Sequence, residues 1–176
     1  AADEEEDLQL IKGMGADALR TAHYPASQHI YDLCDELGII AWCEYPNVNR
    51  MGFSKAFTGN MLCQVREMVM QNINHASIGQ WGMFNELYNG EDWMLAKSAE
   101  VLDLIRTVQD GILCLDRTRT VVGAMGEAGF QALNEIPQEC GLNVYPCWYS
   151  SLTMDEMLKY VLTLSGRKTA AISEYG

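Results

Sequence analysis

The chain has 176 residues, 48% of them apolar, and carries 24 acidic against 12 basic side chains for a net charge of −12. That is enough apolar chain for one compact domain over 1–176, and it argues against disorder. The acidic balance leaves no basic patch for nucleic acid, and no apolar run approaches the ~18 residues of a membrane span. Six cysteines (Cys34, Cys43, Cys63, Cys114, Cys140, Cys147) are irregularly spaced, lack a C-x-x-C pair and have only three histidines beside them. They read as buried free thiols of a reducing, cytoplasmic compartment, not as a disulfide framework or zinc site.

Along the chain, the acidic stretch 3–7 suits a helix N-terminus. Leu8, Ile11 and Met14 follow at helical spacing, then a short apolar run at 18–22. Ile30, Leu33, Cys34 and Leu37 form the next helical stripe, with Gly38 placed for a left-handed C-cap and a strand at 39–43 directly after it. The pattern recurs with a stripe from Met61 to Ile73 and a run at 78–84, then a stripe from Val101 to Ile112 and a run at 120–125. A poorly formed helix occupies 126–139 and precedes a run at 141–145. A stripe from Met154 to Val161 then leads to a run at 169–173. The short runs are almost without polar faces, as strands buried on both sides are. Helix and strand alternate about six times, which defines an α/β protein with a parallel sheet.

Two glycine patterns fail in context. Gly13-Met14-Gly15-Ala16-Asp17-Ala18 fits a dinucleotide fingerprint as a string, but it closes a helix and opens a strand, the inverse of what the fingerprint requires. Gly123, Gly126 and Gly129 follow a strand without a convincing helix behind them and read as a turn. No P-loop and no G-x-S-x-G occur.

The chemistry-bearing residues gather where the strands end. They are His23-Tyr24-Pro25, Glu44-Tyr45-Pro46-Asn47, Asn85-Glu86, Asn143 with Tyr145, Trp148 and Tyr149, and Ser173-Glu174-Tyr175. In parallel α/β folds that end carries the site. Glu86 and Glu174 matter most, because a facing pair of carboxyls suits glycosidic bond cleavage: one gives a proton while the other supplies negative charge. Helix capping or ion pairing would use the same residue types.

Taken together and in order, these motifs resemble the catalytic barrel of glycoside hydrolase family 2, the family of β-galactosidases, β-glucuronidases and β-mannosidases. The stretch from Asp7 to Pro25 is similar to the family's first helix and second strand, and Tyr31-Asp32-Leu33-Cys34-Asp35-Glu36-Leu37-Gly38 to its next helix. Asn74-His75-Ala76-Ser77-Ile78 through Phe84-Asn85-Glu86 is similar to its fourth strand, Asn143-Val144-Tyr145 with Trp148-Tyr149 to its sixth, and Ser173-Glu174-Tyr175-Gly176 to its seventh. The resemblance implies a partial TIM (β/α)8 barrel holding strands two to seven, with strands one and eight and the flanking β-sandwich domains absent; a full barrel takes ~250 residues.

The resemblance also implies the roles. Glu86 is the acid/base and Glu174 the nucleophile of a retaining mechanism, with neighbouring charge and uneven burial separating their proton affinities. Asn85 binds the sugar 2-hydroxyl, Tyr145 hydrogen-bonds the nucleophile, and His23 lines the sugar pocket. Trp148 stacks on sugar or simply packs, and Glu44 is structural or touches ligand. Cys43 stands where relatives often have an acidic residue, and neither a metal nor another cofactor is implied. The wording of the helices and strands leans toward a β-galactosidase acting on terminal β-galactosides. A β-glucuronidase of the same family, or a catalytically inactive barrel piece with a structural or sugar-binding role, is the alternative. Two open strand edges would leave the segment marginally stable and invite a partner chain or pairing into a homo-oligomer.

Overall fold

The structure, a computed structural model, describes residues 2–87, 96–126, 131–165 and 170–175. In chain order these form α1 (Ala2–Gly13), β1 (Ala18–Arg20), α2 (Gln28–Leu37), β2 (Ile40–Glu44), α3 (Lys55–Asn72), β3 (Ile78–Asn85), α4 (Ser98–Leu115) and β4 (Thr120–Met125). A 3-10 turn (Gln131–Glu135), β5 (Glu139–Val144), α5 (Met154–Ser165) and β6 (Ala170–Tyr175) follow. The six strands make one parallel sheet in sequence order, β1-β2-β3-β4-β5-β6. Register couples Arg20 to Trp42 between β1 and β2, Asn85 to Ala124 between β3 and β4, and Asn143 to Glu174 between β5 and β6. No described helix is long and apolar enough to cross a membrane.

The helices form where local chemistry closes their ends. Ser27 caps α2 by accepting from the Ile30 amide, and Ser54 caps α3 by accepting from the Phe57 amide. Gly38 ends α2 at φ 65°, the left-handed cap its position predicts. The stripe in α1 is weaker than expected. Leu8 is buried, whereas Met14 lies past the last turn and is exposed. Between 126 and 139 the described backbone is the short 3-10 turn; Gly129 lies outside the described residues.

Two faces of the sheet are packed differently. The outer face buries Trp81, Met83, Val121, Leu142 and Val144 in one core with Val65, Val69, Val101 and Ile105 of α3 and α4. On the inner face Trp42 packs with Val122 and Ala124, although β3 runs between their strands. Gly82 makes this possible, since a Cβ there would lie 2.5 Å from Trp42 Nε1. A Cβ on Gly141 of β5 would likewise meet the far edge of the Trp42 ring at 2.5 Å. A β2 indole touching β5 requires a strongly curved sheet, the geometry of a barrel wall. The described elements are thus a TIM-barrel segment of the α/β class.

Burial on both sides does not extend to every strand. Among the described residues β6 is a sheet edge paired only with β5, and its Ile172 and Tyr175 are exposed. The thiols also divide: Cys34, Cys43 and Cys140 are buried as expected, but Cys63, Cys114 and Cys147 face solvent.

At the N-terminal end of the sheet, Asp116 fixes the α4–β4 connection. It accepts from the Trp81 indole at 2.9 Å, from Arg119 at 2.9 Å, and from the Thr118 amide and hydroxyl at 2.8 and 2.6 Å. Burial alone would raise this carboxyl, but those four donors outweigh it and hold the group well below the usual carboxylate range. Arg119 also donates to the carbonyls of Ile78, Ile73 and His75 and so ties β3 to β4.

Candidate active site

At the other end of the strands Arg20 is the hub. The last residue of β1 points its guanidinium into the concave face, 4.8 Å from the centre of the Trp42 ring. Its Nε donates to Glu44 Oε1, its Nη1 to Glu174 Oε1 at 2.7 Å, and its Nη2 to Asn85 Oδ1 at 2.8 Å. Weaker contacts at 3.4 Å reach Asn143 Oδ1, the Ser173 carbonyl and His23 Nδ1. One cation therefore gathers the ends of β1, β2, β3, β5 and β6, something its planar fork of five donors can do and an ammonium cannot.

Glu86 and Glu174 are held by different partners. Glu174 takes Arg20 on one oxygen and the Tyr145 hydroxyl on the other. Burial first, then the bond to Glu174 and the charges of Glu174 and Glu86, push the Tyr145 phenol above its ordinary range, so it stays a donor. Glu86 accepts from Asn143 Nδ2 at 2.7 Å, and Asn143 also donates to Asn85 Oδ1 at 3.0 Å. Ser173 orients Asn143 in turn, its hydroxyl donating to Oδ1 at 2.7 Å. Glu86 has φ 49°, the left-handed region where side chains other than glycine are strained, while its amide stays bonded to the Ala124 carbonyl at 2.8 Å. Strain of this kind concentrates at functional sites. Gly126 lies beside the Glu86 side chain, where a Cβ would come into ordinary contact with its carboxyl carbon at 3.4 Å.

These side chains open on a cavity of about 620 Å³ lined by His23, Val48, Asn49, Asn85, Glu86, Gly126, Asn143, Tyr145, Tyr149 and Glu174. The structure thus brings His23, Asn85, Glu86, Tyr145 and Glu174 to one cavity. Trp148 is not in the lining. It stacks on Tyr149 at 4.5 Å between ring centres, edge-on to Tyr145, and is 64% exposed. Tyr149 takes the place at the wall that the sequence reading assigns to an aromatic neighbour. His23 lies 3.7 Å from Glu174 Oε1 and 3.6 Å from Glu44 Oε2.

Glu44, which the sequence leaves undecided, is 1% exposed and does not reach the cavity. Burial raises its carboxyl above the usual range, although Arg20 and then His23 pull the other way. Arg20 itself is absent from the sequence-derived site. The signal available was a cation closing an otherwise apolar strand run. Among the described residues no cluster of three or more His, Cys, Asp or Glu side chains is arranged for a metal ion.

A parallel barrel wall with two carboxylates, Glu86 and Glu174, opening on one cavity at its C-terminal end is an arrangement that glycosidases use. The comparison with known families agrees: the description "Glycosyl hydrolases family 2, TIM barrel domain" matches residues 2–176. The chain belongs to glycosyl hydrolase family 2. It is 34% identical over 181 residues to a β-glucuronidase of Bacteroides fragilis, covering 98% of this chain and 25% of that protein. A β-galactosidase of Pseudoalteromonas haloplanktis is 36% identical over 97 residues, 51% of this chain and 9% of that protein. The crystal structure of Bacteroides uniformis β-glucuronidase 2, covalently bound to cyclophellitol-6-carboxylate aziridine, superposes with a TM-score of 0.88 at 28% identity. That match covers 99% of this chain and 22% of the other. The chain therefore spans about a quarter of the length of the relatives it matches over nearly its whole extent.

Proposed function

We propose that this chain is the catalytic-barrel segment of a retaining β-glycoside hydrolase. The observation that carries the proposal is the single cavity into which Glu86 and Glu174 both face, each tethered by its own donors. Glu174 attacks the anomeric carbon as Glu86 protonates the leaving oxygen; the glycosidic bond breaks and a glycosyl ester forms on Glu174. Glu86, now a carboxylate, takes a proton from water, whose oxygen displaces Glu174 and restores both groups. Asn85 Oδ1 is engaged by Arg20 and Asn143, which leaves its amide nitrogen to donate to the sugar 2-hydroxyl. Tyr145 and Arg20 hold Glu174 in line for attack, His23 and Tyr149 wall the sugar, and Trp148 supports Tyr149 from outside.

For substrate, the two Bacteroides relatives matched over nearly the whole chain are named β-glucuronidases, so terminal β-glucuronides are the preferred reading over β-galactosides. The Pseudoalteromonas relative favours the galactoside as the second reading. Aryl β-glucuronide and aryl β-galactoside are to be compared as substrates of the full-length protein, with Glu174→Gln as the control. Preference for the glucuronide and a loss of at least about 10³-fold in Glu174→Gln are expected. Near wild-type turnover by Glu174→Gln would overturn the mechanism, and preference for the galactoside would overturn only the substrate.

A further inference from the structure

Arg20 pairs with two carboxylates at once, and only one of them opens on the cavity. A guanidinium beside a lone carboxylate prefers the two-pronged arrangement, with both oxygens captured. Here Glu44 holds the Nε edge and Asn85 Oδ1 takes Nη2, so Glu174 receives a single prong from Nη1 through Oε1, and its Oε2 remains with Tyr145. Glu44 is itself tightly seated. Its side chain is 2% exposed, Gly82 backs it so closely that a Cβ there would lie 2.6 Å from Glu44 Cγ, and its second oxygen faces His23 Nδ1 at 3.6 Å. The charged and titratable groups around it are thus Arg20 at the end of β1 and His23 just beyond, with Glu174 of β6 across the guanidinium.

We infer that Glu44 is a positioning residue for the nucleophile: by holding the Nε edge of Arg20, it fixes the turn of the guanidinium that presents Nη1 alone to Glu174, and it offsets the cation's charge. Without Glu44 the guanidinium is free to turn, leave Asn85 and take both oxygens of Glu174 with its Nε–Nη2 edge, drawing the carboxylate from its line of attack and lowering its basicity. The inference rests on Glu174 being the nucleophile and adds a device that the carboxylate pair alone does not contain.

The test is Glu44→Gln in the full-length protein, measured beside Glu174→Gln on an aryl glycoside. A side chain of equal size without the charge is expected to lower kcat by about 10²-fold while KM changes little. The acidic limb of kcat/KM should move to lower pH, because uncompensated Arg20 favours the ionised form of Glu174. A merely structural Glu44 would move thermal stability but not that limb. Wild-type kcat and an unmoved limb in Glu44→Gln, with Glu174→Gln inactive, overturn this inference alone; activity in Glu174→Gln overturns the mechanism beneath it. If Glu44→Gln does not fold, Glu44→Asp keeps the charge but shortens the reach. A lowered kcat with the limb in place then supports the inference, and wild-type kcat overturns it.

Discussion

Arg20 and Glu174 stand 154 residues apart in the chain, on the two edge strands of the sheet, and meet at 2.7 Å. Strands that are nearly the whole sheet apart in sequence order touch only because the sheet curls, and the contact closes the curl at the end where the cavity lies. The same guanidinium neutralises a carboxylate with almost no access to water.

Removing Arg20 should therefore unsettle the fold as well as the site. Arg20→Gln leaves Glu44 buried without its cation, a change that typically costs about 3–5 kcal/mol. Glu44 already sits above the usual carboxylate range through burial, so the folded form holds its proton more firmly than the unfolded chain. Its contribution to stability is full below the unfolded value and is lost as pH rises through the folded one. Arg20→Gln should raise the folded value further and steepen that loss. Denaturant midpoints of the full-length protein, taken from roughly pH 4 to pH 7, check it. A variant as stable as wild type at neutral pH would refute the argument.

Asp116 predicts the opposite pH dependence. Its carboxyl is held low in the fold by Thr118, Trp81 and Arg119. The stability it contributes is present above the unfolded value, near 4, and disappears as pH falls toward the folded one. Asp116→Asn should lower stability by about 3 kcal/mol at neutral pH, since Arg119 then loses its buried partner. It should also flatten acid unfolding below about pH 4. Equal acid sensitivity in the variant and wild type would show that other carboxylates govern that limb.

Tyr145 separates hydrogen bonding from proton transfer. Tyr145→Phe keeps the ring against Tyr149, 5.0 Å between centres, and deletes only the donor to Glu174. A fall in kcat of about 10²-fold is expected, as for other donors aimed at developing charge. Because the phenol is pushed above its ordinary range, wild type and variant should share the same basic limb of kcat/KM. A basic limb present only in wild type would make Tyr145 a titrating acid.

The alternation of helical stripes and apolar runs made the barrel wall legible in the sequence, because that periodicity records which face each element buries. Strand ends were legible for a related reason: Asn85, Glu86, Tyr145 and Glu174 interrupt runs that are otherwise apolar. Arg20 interrupts its run in the same way, yet its importance depends on three-dimensional closure, since its partners lie 24, 65 and 154 residues away. No local spacing encodes that. Trp148 and Tyr149 are adjacent and chemically alike, and which ring meets the cavity depends on the turn around them, where Cys147 stands at φ 64° and the Trp148 and Ser150 amides return to the Tyr145 carbonyl. The exposure of Ile172 and Tyr175 on β6 is not written in the strand's own composition, which is that of a strand paired on both sides, but it follows the open strand edge that the resemblance implies.

Gly82 connects the interior packing to the chemistry. It lies on β3 between Trp42 and Glu44 on one side and Val122 on the other, and it leaves the room into which the indole and the carboxylate stem both lean. A methyl at Gly82 would stand 2.5 Å from Trp42 Nε1 and 2.6 Å from Glu44 Cγ, with the Glu44 backbone at 3.2 Å blocking retreat. Gly82→Ala should cost about 1–3 kcal/mol, the range for overpacking. By tilting Glu44, it should also pull Arg20 off Glu174 and reduce kcat more than KM. Gly59 makes the control: a Cβ there meets nothing within 4 Å, so Gly59→Ala should leave kcat unchanged. If Gly82→Ala loses stability but keeps full kcat, the Glu44–Arg20–Glu174 chain does not transmit the displacement to the nucleophile.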